Sequence, residues 1–282
     1  MKQQIKNSIK KSSFAVKIVH LIRNLKNRGV VKNPERLHPS FYQHTIYDKI
    51  LFLKHQFAYE YAEKLLKPQM NVLDYGCGDG YGSHYLASNE NVNVVGTDID
   101  DDTIKFAKKK YQKTNLNFIT FKQLFNYSGT FDLITSFQVI EHVENVSDYL
   151  FLLKTKLTKN GILIISTPSR NYRLTEFQKP WNSFHLREYN MDAFKTDINA
   201  VFDSVRYFSL SAIPEVLKIE FERVKNYRDD QIMFMNEQYD TIQCTEKQQY
   251  TTNDFYLSEN QNEINNGLDL FAIIENILPL QQ

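Results

Sequence analysis

The chain has 282 residues, 42% of them hydrophobic and 24% charged, and a formal net charge of +1. That balance belongs to an ordinary soluble globular protein, one large domain or one domain with additions, and argues for no particular partner. Two cysteines, Cys77 and Cys244, exclude a disulfide framework and a cysteine-based zinc cluster, and no run reaches the ~20 apolar residues of a membrane span.

Charge is unevenly spread. Residues 1–32 hold nine Lys and Arg and no acid, whereas residues 229–266 hold eight acids and one lysine. In the first segment Phe14, Ile18, Leu21 and Leu25 share one face at helical spacing. Residues 1–34 therefore read as a basic amphipathic extension of a domain over 35–282. A loosely docked tail, a membrane-surface helix and an arm for a partner or nucleic acid are all compatible with it. FAVKIVHLI is interrupted by Lys17 and His20, and no small-residue cleavage site follows. A secretory leader is not expected, and the expected compartment is the cytoplasm, with peripheral membrane contact if the extension binds lipid.

Gly29 and Pro34 punctuate the end of the extension. Residues 47–66 predict a helix with Ile50, Leu53, Phe57, Tyr61 and Leu65 facing a core and Pro68 closing it. Strands and helices then alternate. NVLDY (71–75) is a short buried strand running into the glycine loop, and SHYLASN begins a helix. NVVGTDI is the second strand, DDTIKFAKKKY the second helix, LNFITF the third strand and FDLITSFQV the fourth. SDYLFLLKTKL predicts a helix stopped by Asn160-Gly161, before a fifth strand, GILIISTP. MDAFKTDINAVF is helical, and SVRYFSL (204–210) and LDLFAII (268–274) complete seven strands. The alternation predicts a doubly wound, mostly parallel α/β sheet. Before the last strand, the polar, acidic stretch at about 215–266 reads as an insertion or lid.

The chemistry concentrates in VLDYGCGDGYGSHYLA, where Gly76, Gly78, Gly80 and Gly82 alternate. A strand, a glycine turn and a helix make a ligand site, because the backbone can approach the ligand closely. The spacing is neither the G-x-G-x-x-G of dinucleotide enzymes nor a P-loop. Asp74 opens the loop, and an acid there repels a pyrophosphate but suits a cation. Asp98 ends the second strand, where a carboxylate can accept both hydroxyls of a ribose. Ribose plus a cationic group without phosphate points to S-adenosylmethionine.

With VVGTDID, FDLITSFQVIEHV and NGILIISTPSRN, the loop resembles those of class I S-adenosylmethionine-dependent methyltransferases, with their Rossmann-like sheet. A closer resemblance, over residues 35–210 and the final strand, is to a bacterial group associated with polysaccharide or O-antigen biosynthesis. It rests on Glu35-Arg36-Leu37-His38-Pro39, SFQVIEH and WNSFHLREY. IEHV also occurs in ubiquinone-pathway relatives. The resemblance implies that the backbone at Gly76, Cys77 and Gly78, with Asp74, meets the methionyl part of the cofactor. It implies that Asp98 binds the ribose, that Ile99 packs on the adenine and that Gln138 lines the site near the sulfonium. Lys54 and His55 fall where relatives carry Arg-Tyr, so either would reach the cofactor carboxylate. Where relatives place an adenine-binding Asp, this chain has Lys122 and Gln123, so the Gln123 amide oxygen would substitute.

Methyl transfer to an alcohol needs a base, since the hydroxyl proton must leave. His142 follows the fourth strand and His185 the fifth, at the sheet edge where open α/β sheets bind ligands. Each is a candidate base or a structural hydrogen-bonding residue. Glu188 would orient His185, and Glu141 would orient His142. Glu141, His142 and His185 could also form a metal set, but no close His-x-x-x-His pair supports one, and no metal is expected. Trp181, Tyr172, Phe184 and Tyr189 would form an aromatic wall for the acceptor or ordinary packing, and His84 reads as a packing residue. The expected activity is O-methylation of a sugar or glycan precursor. A quinone, polyketide or amine acceptor is the alternative enzyme reading, and an inactive binding or scaffold protein the alternative of another class. Nucleic acid is not an expected substrate, because the basic residues sit in the first segment.

Overall fold

The computed structural model describes residues 45–228 and 249–275. The basic extension at 1–34, the middle of the acidic stretch and Cys244 lie outside the described residues.

The first described helix, α1 (Ile46–Glu63), starts at Thr45, whose hydroxyl accepts the Asp48 amide. It buries Ile50, Leu53 and Phe57 as expected, while Tyr61 and Leu65 are only partly buried. The chain then alternates through β1 (Asn71–Tyr75), α2 (Tyr81–Leu86), β2 (Asn93–Asp98), α3 (Asp101–Lys110), β3 (Leu116–Thr120), α4 (Phe121–Phe125) and β4 (Phe131–Phe137). A 3-10 turn at Ile140–His142 leads to α5 (Val146–Lys156), β5 (Leu157–Pro168), α6 (Arg170–Arg173), α7 (Met191–Asn199) and β6 (Val205–Ala212). After α8 (Pro214–Val224) come β7 (Phe255–Ser258), α9 (Gln261–Ile264) and β8 (Asp269–Glu275).

The strands form one sheet in the order β3-β2-β1-β4-β5-β8-β6-β7. Strands β1 to β5 pair in parallel; β8 runs antiparallel to β5 and β6, and β7 antiparallel to β6. The strand order reverses beside β1, between β2 and β4. Above the C-terminal ends of those strands is the crevice in which such sheets bind ligands.

Three details correct the sequence reading. Among the described residues the sheet has eight strands rather than seven, because four residues of the presumed insertion, Phe255–Ser258, pair with β6. The start of that stretch is also structural: Val216, Ile219, Phe221 and Val224 of α8 join the core built on α1. The Asn160-Gly161 pair does not stop α5, which ends at Lys156. It lies in a bulge of β5, where the pairing jumps from Phe131–Leu157 to Leu133–Ile162.

Apolar clusters fill both faces of the sheet. Helices α1 and α8 cover one, around Phe57, Phe137 and Phe271; α5 and α7 cover the other, around Leu150, Ile165 and Phe194. Among the described residues, no helix is long and apolar enough to cross a membrane.

Candidate functional site

The glycine loop is held open by its neighbours. Gly76 has φ of +79°, and a Cβ there would lie 2.3 Å from the Val139 side chain, so both conformation and space demand glycine. The amides of Gly76 and Cys77 donate to Thr97 O at 2.8 and 2.9 Å, and the Gly78 amide donates to Asp98 Oδ2 at 3.1 Å. These amides are therefore committed within the protein. Cys77 contributes backbone only, for its side chain packs with Ile104, Ala107 and Phe118, and burial pushes its thiol pKa up.

Asp74 lies buried beneath the loop. Its carboxylate accepts hydrogen bonds from Ser83 Oγ at 2.7 Å, Thr135 Oγ1 at 3.0 Å and Tyr59 Oη at 3.3 Å. Burial lifts its pKa to about 6, opposed by those hydroxyls. The residue thus ties β1, α1, α2 and β4 together under the ligand crevice. Asp98, at the end of β2, also accepts the Asp100 amide at 3.0 Å. Beside it, Ile99 is 83% exposed, an apolar side chain suited to cover a flat ring.

The other expected cofactor residues divide. Lys54 is buried and pairs with Asp269 Oδ1 at 2.9 Å; Gln138 donates to Asp269 Oδ2 at 3.2 Å. Gln138 has φ of +56°, a strained conformation for a non-glycine residue that aims its side chain across the end of β4. Asp269 thus joins two residues singled out in the sequence, and sequence reasoning missed it. The only signal was an acid opening the otherwise apolar run LDLFAII. His55 points elsewhere, with Nδ1 3.2 Å from Tyr81 Oη, and burial with the Lys54 charge lowers its pKa to about 3. It is a neutral hydrogen-bonding group, not a cation. The Gln123 amide oxygen is engaged: it accepts the Thr120 amide at 2.9 Å in a capping box on α4.

On the other side of the crevice, the two histidines expected as alternative bases meet. The loop before α7 is fastened to the 3-10 turn by Leu186 N donating to Glu141 O at 2.9 Å, and by Arg187 donating to the Val143 and Glu144 carbonyls. The His142 and His185 rings sit edge to face, centroids 4.8 Å apart. His142 Nδ1 lies 2.9 Å from Phe184 O; a carbonyl only accepts, so Nδ1 carries the proton. His185 Nδ1 lies 2.9 Å from Glu188 Oε1, and Arg173 Nε donates to Glu188 Oε2 at 3.0 Å. Burial raises the Glu188 pKa, but His185 and Arg173 more than offset this and bring it below the usual value. Glu188 thus bridges His185 and Arg173. Glu141 is fully buried, with Oε2 accepting from Thr167 Oγ1 at 3.0 Å and Oε1 without a partner. Ligand-capable atoms of Glu141, His142 and His185 lie within 4.8 Å of one another.

Of the two readings for the aromatic residues, a wall or ordinary packing, the contacts of Tyr172, Tyr189 and Trp181 are those of packing. Tyr172 and Tyr189 are buried, their hydroxyls donating to Leu217 O and Asp197. Trp181 is sandwiched by Tyr227 and the Arg173 guanidinium, and Phe184 is 44% exposed. His84 packs on Tyr111.

Comparison with known proteins places these features. The family described as "Methyltransferase domain" matches residues 66–253. A probable S-adenosylmethionine-dependent methyltransferase of Mycobacterium tuberculosis is 26% identical over 227 residues, 79% of this chain and 82% of its own length. The mitochondrial ubiquinone biosynthesis O-methyltransferase of Saccharomyces cerevisiae is 33% identical over 159 residues, 53% of this chain and 51% of its own. Among solved structures, a SAM-dependent methyltransferase of Archaeoglobus fulgidus shares the fold, with a TM-score of 0.50 at 16% identity, over 80% of this chain and 94% of that one.

Proposed function

Because the chain belongs to the methyltransferase domain family, we propose that it moves the methyl group of S-adenosylmethionine onto a hydroxyl oxygen of a sugar or glycan precursor. The enzyme class and cofactor go with the family and its S-adenosylmethionine-dependent relatives. The oxygen acceptor is supported by one observation, the His142–His185 pair backed by Glu188 and Arg173 at the sheet's C-terminal edge. A sulfonium needs no help to leave, so the protein's tasks are to align an acceptor, exclude water and take up a proton. The bond from the acceptor oxygen to the methyl carbon forms as the carbon–sulfur bond breaks. The hydroxyl proton goes to an imidazole Nε2, and S-adenosylhomocysteine remains. An ionised Glu188 against Nδ1 stabilises the imidazolium that results.

The cofactor would lie across the loop, with its ribose on Asp98, its adenine on Ile99 and its sulfonium between the Asp74 side and Gln138. The sugar class rests on the resemblance carried by ERLHP and WNSFHLREY. A phenolic or quinone acceptor is a second reading. It is favoured by the likeness to the yeast ubiquinone enzyme and by the exposure of Phe184 and Leu186 beside the histidine pair. The scaffold reading has less support, since Asp74, the glycine loop and Asp98 are all intact.

The test is labelled methyl transfer over nucleotide sugars, lipid-linked sugars and phenols, with calorimetry of cofactor binding. Asp98→Ala should abolish the binding heat, and His142→Ala and His185→Ala should lower turnover while keeping it. Absence of heat with the wild type would overturn the reading; full turnover in both histidine variants would remove the histidines from the proton step.

A further inference from the structure

We propose that Glu141, His142 and His185 hold one divalent first-row transition-metal ion at the C-terminal edge of β4 and β5. Three observations carry this. First, Glu141 has no solvent exposure, and its Oε1 has no hydrogen-bond partner. A desolvated carboxylate oxygen is costly to bury unless something positive meets it. Second, both imidazoles are fixed from behind through Nδ1, His142 by the Phe184 carbonyl and His185 by the Glu188 carboxylate, itself clamped by Arg173. A metal-ligating histidine characteristically gives its second ring N–H to a carbonyl or carboxylate, which makes Nε2 the ligand atom. Third, the ligand-capable atoms of the three residues lie within 4.8 Å of one another. With bonds of ~2.1 Å, ligands of a tetrahedral ion lie about 3.4 Å apart, so closing the set takes side-chain shifts of up to roughly 1.5 Å.

The donors select the class of ion. Two imidazoles with one carboxylate suit zinc, manganese or ferrous iron, whereas magnesium and calcium prefer oxygen sets. Three protein ligands leave positions for another oxygen, as in catalytic rather than structural sites. If that oxygen is the acceptor's hydroxyl, the ion makes it acidic, its proton passes to water, and the histidines serve as ligands rather than bases. This use rests on the oxygen-methylation reading; the existence of the site does not. The sequence offered these three residues as a possible set but no His-x-x-x-His spacing to support it, because the ligands come from two loops joined through Leu186 N and Glu141 O.

The test uses the full chain, stripped with a chelator, dialysed and titrated calorimetrically with Mn2+ and Zn2+. Mn2+-loaded protein is then examined by pulsed EPR. One ion per chain and imidazole-nitrogen coupling are expected. The His142→Ala/His185→Ala double variant should weaken binding at least about 100-fold while keeping the heat of S-adenosylmethionine binding. No saturable binding by the wild type, or equal binding by the double variant, overturns the proposal. Where the double variant fails to fold, the wild-type EPR decides: nitrogen coupling supports the site, and a spectrum of water ligands alone overturns it. Saturable metal binding with no methyl transfer to any hydroxyl would sink the proposed function and leave the site standing. Undiminished transfer by a stripped chain that binds no metal would do the reverse.

Discussion

Gly82→Ala pits helix propensity against packing under the cofactor loop. Gly82 lies in α2, so alanine there favours the helix by about 1 kcal/mol on propensity alone. The added Cβ, however, would sit 1.9 Å from Cζ of Tyr59 and 2.3 and 2.4 Å from its Cε atoms. Tyr59 is 5% exposed and packs edge-on against Phe137 at 5.0 Å and Tyr81 at 5.4 Å, so it has little room to move. Overpacking of this kind costs about 1–3 kcal/mol, and the two aromatic contacts carry roughly 0.5–1.5 kcal/mol each. Displacing the ring also breaks the 3.3 Å bonds from its hydroxyl to Asp74, worth about 1 kcal/mol at that length. Packing should therefore win, with a net destabilisation of about 2 kcal/mol in urea unfolding at unchanged m-value. Because Asp74 is freed to move under the loop, cofactor affinity should fall about tenfold by calorimetry. Gly78→Ala is the control, since a Cβ there meets nothing within 4 Å and only the φ of +53° opposes it. Its cost should be about 1 kcal/mol. A Gly82→Ala protein as stable as the wild type, with the same cofactor affinity, would refute this reasoning.

Other predictions concern the buried charges. The Asp74 carboxyl titrates near 3.8 when unfolded and about 6 when folded, because burial raises it. Between those values the unfolded chain has lost a proton that the folded chain keeps, so stability falls as pH rises through the window, by roughly 3 kcal/mol. Asp74→Asn should flatten that share of the pH–stability curve, and an unchanged slope would place the titration elsewhere. Lys54→Met leaves the Asp269 carboxylate buried without its cation and should cost about 3–5 kcal/mol; Lys54→Met/Asp269→Asn should recover most of it in thermal unfolding. His55, with its pKa lowered to about 3, stays neutral from pH 5 to 8. His55→Gln should leave the shape of the cofactor-affinity profile over that range unchanged, and a change in shape would show that the ring titrates there.

The central strands were legible because each is a short apolar run bounded by turn residues, and the cofactor loop because its glycines and acids are contiguous in the chain. What escaped has a common physical origin. Phe255–Ser258 is short and lies in a polar, acidic stretch, so its pairing with β6 depends on an edge that the sequence does not display. Asp269 matters through Lys54 and Gln138, far away in the chain, and only the antiparallel pairing of β8 with β5 brings them together. His142 is oriented by a backbone carbonyl, which leaves no mark in the residue types. The sequence left the aromatic residues open between a wall and ordinary packing, because residue types do not show that the Tyr172 and Tyr189 hydroxyls find partners on α8 and α7.

The hydrogen bonds of the loop also sharpen the argument about charge. Phosphate-binding loops bind by presenting backbone amides to the anion. Here the Gly76, Cys77 and Gly78 amides are taken by Thr97 O and Asp98, and the Gly80 amide by Cys77 O. Asp74 and Asp98 add negative charge behind and beside the loop, and the Asp98 charge contributes to the raised pKa of Asp74. A phosphate would meet no amide at those positions and would approach two acids. A sulfonium or ammonium would meet the same acids with a favourable sign, and would pull the Asp74 carboxyl back toward its ionised form. Cofactor binding and Asp74 ionisation should therefore be linked: affinity for S-adenosylmethionine rises with pH between about 4 and 6 in the wild type and not in Asp74→Asn. Calorimetry across that range checks this, and a wild-type affinity independent of pH would separate the acid from the cation it is argued to attract.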